Sequence, residues 1–138
     1  MWMLRGFFAG FVSTLVFHQG ALWLLNRATG AGRAVWSMAQ VPPLGVPSVI
    51  SLAFFGGLWG IALAYVLRGQ RGVGYWLMAV ALGAVLPTLV ALLLVFPLKG
   101  MAFAAGGDLR VWIIALILNG AWGLGLGLLL KLRVGLSG

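Results

Sequence analysis

Within the apolar stretches of this 138-residue chain, one side chain titrates near neutral pH: His18. Gln19 follows it, and Thr88 and Asn119 are the notable polar residues of the later stretches. Counted from the predicted helix ends, His18, Thr88 and Asn119 all fall about 10–12 Å below one edge of the hydrocarbon, at 1.5 Å per residue. Pro87 lies at the same depth. It has no N–H to donate, so the Gly83 carbonyl loses its helical partner. His18, Gln19, Thr88, Asn119, Gly83 and Pro87 therefore form a candidate polar layer.

Two chemistries suit such a layer. One is hydrogen-bonded glue between helices, worth about 0.6 kcal/mol per bond. The other is a ligand site or a conduction path, because ionisable groups inside a membrane are costly to keep there. A third, minor reading uses His18 alone. With Thr14 before it and Trp23 after it, the imidazole could meet a haem or a pigment, and the same pocket a lipid or a quinone. No cofactor is otherwise expected.

Catalytic groupings are sparse. Asp108 is the sole acidic residue and there is no cysteine, so paired carboxylates and thiolate metal sites are excluded. Ser13 lies on a different helical face from His18. No catalytic residue and no metal site is assigned, and the chain is not expected to be an enzyme.

The elements that must position these groups follow from composition. Apolar residues make up 63% of the chain and charged residues 7%, against about 25% charged in a soluble domain. Ten charges cannot cover a globule of this size without large apolar patches. The chain thus reads as an all-α integral membrane protein. Four uncharged stretches run over about residues 6–25, 48–67, 75–96 and 111–130. Each is long enough to cross about 30 Å of hydrocarbon as a helix. The first is too long for a signal-peptide core and reads as a span.

Arg5, Arg68, Arg71, Lys131 and Arg133 fall on one side of the membrane, and Arg27, Arg33, Lys99 and Arg110 on the other. The excess of basic residues predicts both termini in the cytoplasm. A bacterial cytoplasmic (inner) membrane is the expected location. The bases are scattered one or two per loop, so they anchor helix ends and do not form a nucleic-acid surface.

An internal repeat is expected. The run Gly57–Arg68 aligns with Gly120–Lys131, sharing Gly-x-Trp-Gly and a terminal base. The halves, about 1–70 and 71–138, would be tandem helical hairpins of the same orientation, a 2+2 arrangement in one domain. Small residues recur every four positions: Gly6, Gly10 and Thr14; Gly56, Gly60 and Ala64; Ala79, Gly83, Pro87 and Ala91; Asn119, Gly123 and Gly127. Such stripes let helix backbones approach closely. They predict a compact four-helix bundle, with any spare stripe left for a partner.

Trp59 and Trp122, equivalent in the repeat, lie near mid-membrane, where packing beside the following glycine is expected of them. The other tryptophans fall at interfaces. The first loop ends in Val41-Pro42-Pro43-Leu44-Gly45-Val46-Pro47, which predicts extended chain. A short interfacial helix is expected over Arg33–Ala39, and Asp108 is expected to cap the fourth helix. The function most consistent with these features is a structural, accessory or assembly subunit. Its Gly-rich faces would pack against copies of itself (a homo-oligomer) or a larger membrane complex within the lipid bilayer. The alternative is a small oligomeric channel or transporter around His18 and Asn119.

Overall fold

With no water to satisfy backbone groups, each uncharged stretch does best as a helix whose bonds close within itself. The computed structural model describes residues 1–42 and 44–132 and contains four helices long and apolar enough to span a membrane. They are α1 (Trp2–Thr29), α2 (Ser48–Leu67), α3 (Gly72–Leu98) and α4 (Leu109–Leu132). α2 has the expected bounds, and the others run a few residues past theirs. Pro43 and Arg133, invoked above for the loop and for orientation, lie outside the described residues.

Local chemistry sets the ends. Asp108 Oδ1 accepts the Arg110 N–H at 3.0 Å, capping α4 as expected. α1 stops at Gly30, which is left-handed at φ 73° and returns its N–H to the Asn26 carbonyl.

The helices associate as α1 with α2 and α3 with α4, and the two hairpins meet chiefly through α1 and α4. Backbone touches backbone at the first crossing. A Cβ on Gly6 would lie 2.8 Å from the Gly60 carbonyl oxygen, and one on Gly10 would strike the Gly56 carbonyl. At the second crossing a Cβ on Gly83 would lie 2.7 Å from Gly123 Cα. Between the hairpins, Gly125 of α4 leaves room for Phe17 and Ser13 of α1. Ala9, Leu63, Trp122 and Leu126 form the core there, with Trp59 packed on its edge. The glycine stripes are therefore occupied inside the chain. Each hairpin uses both of its stripes to close.

The connections differ from expectation in one place. Residues 31–39 contain no helix. Trp36 takes a left-handed φ of 47°, and its N–H bonds Gln19 Oε1 at 2.8 Å in place of a helical carbonyl. The expected extended segment forms a minimal hairpin, Gln40–Val41 (β1) against Val46–Pro47 (β2).

These contacts predict unequal glycine substitutions. Gly10→Val and Gly123→Val should each lower stability in detergent by about 1–3 kcal/mol, the usual cost of overpacking. Gly20→Ala should cost nothing, since no neighbouring atom lies within 4 Å of its Cβ position. Reversible denaturation followed by helicity measures all three.

Candidate functional site

Strict four-residue spacing does not describe the buried rows. In α1 the buried row runs Gly6, Gly10, Thr14 and then Gln19, not His18. In α3 it runs Tyr75, Ala79, Gly83 and then Thr88 and Leu92, not Pro87 and Ala91. Each helix takes one five-residue step. In α1 the step falls at a π turn, Thr14–His18, whereas in α3 it falls between Gly83 and Thr88, ahead of the π turn at Ala91–Val95. The extra residue rotates everything beyond it by one position. In α3 the step accompanies Pro87, whose missing N–H and ring loosen the preceding turn. In α1 it accompanies Thr14, whose hydroxyl bonds back to the Gly10 carbonyl at 2.9 Å.

These steps separate the expected layer into two groups. Asn119 and Thr88 form one: Asn119 Nδ2 donates to Thr88 Oγ1 at 2.9 Å, tying α4 to α3. Gly83 packs against Gly123, so its role is close approach. Pro87 is half-buried beside this pair. Gln19 and His18 form the other group, and their bonds go to each other and to the first loop. Gln19 is 4% exposed. Its Oε1 accepts the Trp36 N–H, and its Nε2 lies 3.0 Å from His18 Nδ1. The Trp36 amide can only donate, so Gln19 Oε1 must accept and Nε2 must donate. We therefore assign His18 Nδ1 as the acceptor and place the ring hydrogen on Nε2. The loop is latched a second time where Trp36 Nε1 donates to the Leu15 carbonyl at 2.7 Å. The π turn helps here, since the Gln19 N–H bonds the Thr14 and Val16 carbonyls and not Leu15.

A third cluster was not expected. Ser13 is fully buried and donates to the Trp122 carbonyl at 2.7 Å. Trp122 Nε1 returns a bond to the Gly10 carbonyl at 3.0 Å. The same carbonyl takes the Thr14 hydroxyl. This knot fastens α1 to α4 at the centre of the molecule. Trp122 is 3% exposed and bonded, whereas Trp59, its counterpart by sequence, is only half-buried. Near the opposite end of α4, Tyr75 donates its hydroxyl to the Gly127 carbonyl at 2.5 Å. The signals for Ser13 and Tyr75 were slight: Ser13 follows Gly10 by three residues, and Tyr75 opens the row that continues through Ala79 and Gly83.

Ser13, Thr14, Gln19 and Thr88 are the buried polar side chains among the described residues, and each bonds a partner within the chain. No protein-family model matches the sequence, and neither the curated proteins nor the solved structures contain a match.

Two predictions follow from the bonds. Ser13→Ala should lower stability by about 0.6–1.7 kcal/mol, the range for buried bonds between membrane helices, and Trp122→Phe should cost more because it also removes packed volume. Paired denaturation curves test the order. Separately, Gln19→Leu should release the first loop. Amide exchange over residues 33–39 should then accelerate while exchange in α4 stays unchanged.

Proposed function

We propose that this chain is a structural or accessory subunit of a membrane, without catalytic chemistry of its own. It would act as a rigid four-helix body that docks against copies of itself or a larger membrane complex. The observation that supports this most is closure: Ser13, Thr14, Gln19 and Thr88 find hydrogen-bond partners inside the chain, and the glycine stripes pack on one another. Little is left over to bind or move a solute. Large apolar side chains such as Phe8, Phe54, Phe55, Leu77 and Ile117 stand exposed around the outside, where lipid or a partner would cover them.

The same proposal includes tandem duplication. Gly10 lies against Gly56 and Gly60, and Gly83 lies against Asn119 and Gly123. The offsets support one crossing used twice: 10 to 83 is 73 residues, and 56 to 119 and 60 to 123 are both 63. Two helices per half keep the halves in the same orientation. Five bases against four favour both termini on the cytoplasmic side of a bacterial inner membrane.

A second reading, a small oligomeric channel or transporter around His18 and Asn119, draws on the π turns. Such turns recur at functional sites, and the one in α1 contains His18 and is followed by Gln19. Ligation of haem or pigment by His18 has less behind it. A ligating histidine normally donates its other ring N–H to an acceptor, whereas His18 Nδ1 faces an amide donor.

Reconstitution separates the readings. Proteoliposomes should show no proton or ion flux above protein-free vesicles, and the purified particle should have the mass of an oligomer or a larger assembly. Flux that His18→Ala and Asn119→Ala abolish, with assembly intact, would replace the structural reading with the transport one.

A further inference from the structure

The end of the bundle where α1 begins, α2 ends, α3 begins and α4 ends carries Arg5, Arg68, Arg71 and Lys131. The sequence has a single acidic residue, and Asp108 caps α4 at the opposite end. The one acidic side chain is therefore remote from Arg68 and Lys131. Both of these are held on aromatic rings. Arg68 lies 4.9 Å from the Trp2 ring centroid and 4.6 Å from that of Tyr65. Lys131 Nζ lies 4.4 Å from the Tyr75 centroid. A guanidinium held over a ring face can still offer its edge N–H donors, in the fork that suits a phosphate.

Ile61, two helical turns before Arg68 in α2, lines an open apolar groove of about 310 Å³ together with Met1, Met3, Leu4 and Phe7. Ile61, Tyr65 and Arg68 share one face of α2 at helical spacing. The rise from Ile61 to Arg68 is about 10 Å. A phospholipid whose phosphate meets Arg68 would therefore lay the upper part of an acyl chain over Ile61.

We propose that this corner is a binding site for an anionic phospholipid, with the headgroup phosphate on Arg68 and an acyl chain in the groove beside Ile61. Net charge selects the headgroup class. A zwitterionic lipid would bring an ammonium to an end of the bundle that also carries Arg71 and Lys131, whereas a net anionic lipid meets only attraction there. Arg68 is the specifying cation because Trp2 and Tyr65 hold it in one place.

The test reconstitutes the full chain in phosphatidylcholine vesicles and measures association of spin-labelled phosphatidylglycerol and phosphatidylcholine. The wild type should prefer the anionic lipid, and Arg68→Gln should lower that preference about fivefold. Arg110→Gln, at the other end, should leave it unchanged. Ile61→Trp, which fills the groove, should displace both labelled lipids. Helicity is recorded for every variant. Should Arg68→Gln fail to fold, Tyr65→Leu removes the stacking shelf and should weaken the preference in the same direction. The proposal is overturned if the folded Arg68 or Tyr65 variant keeps the wild-type preference. It is equally overturned if Arg110→Gln loses as much, which would indicate general surface attraction. Displacement of the labelled lipid by inorganic phosphate alone would assign the site to a free anion.

Discussion

Contact between helix backbones at glycine is the constraint from which the rest of this structure follows. Lipid offers no hydrophobic force between helices, so association needs dispersion at short range and hydrogen bonds that replace none to water. At Gly6, Gly10 and Gly60, and again at Gly83 and Gly123, the facing backbone already occupies the place of a Cβ. Helices this close bring each other's carbonyls within reach. That is how Trp122 of α4 can bond the Gly10 carbonyl of α1, and how Ser13 of α1 can bond the Trp122 carbonyl. The polar knot thus depends on the glycines, and the glycines alone would leave the α1–α4 crossing without directional bonds.

The sequence made some of this architecture readable. Uncharged runs of about twenty residues can only be spans in a chain so poor in charge, and Asp108 could only cap the helix it precedes. Stripes of small residues identified the faces that meet. The site was less legible because Gln19 and Thr88 each follow a five-residue step in the buried row of their helix. A period of four carries the row from Thr14 to His18 and from Gly83 to Pro87. The backbone takes five, delivering Gln19 and Thr88 to the interior. Pro87 is a visible cause of such a step, since it deletes a helical bond. Thr14 is a weaker one, because its back-bond to Gly10 perturbs the helix only slightly.

Loop geometry was hidden for a different reason. Trp36 lies 17 residues beyond Gln19, yet their bond determines the loop path. Periodicity carries no information about pairings of that kind. Trp36, Ala104 and Ala105 all adopt left-handed conformations, which cost about 1–2 kcal/mol each for a residue with a Cβ. Indoles hold both places. Trp36 itself bonds the Leu15 carbonyl, and Trp112 bonds the Ala104 carbonyl at 2.8 Å. Tryptophans expected simply at the membrane interface therefore also fasten the chain that covers it.

The two ends of the bundle use their tryptophans differently, although each also stacks a base on a ring: Arg27 on Trp23 at one, Arg68 on Trp2 and Tyr65 at the other. At one end, Trp36 and Trp112 use their indole N–H groups on loop and helix carbonyls, so those rings are committed to internal structure. At the other, Trp2, Tyr65 and Tyr75 present ring faces to Arg68 and Lys131. A ring face stacked on a cation leaves the cation's donors available, whereas an indole bonded to a carbonyl has none to give. With the interior closed on itself, the capacity to interact lies on the outer surface. The end that carries Arg68 and Lys131 is where bases held on ring faces occur together with an apolar groove.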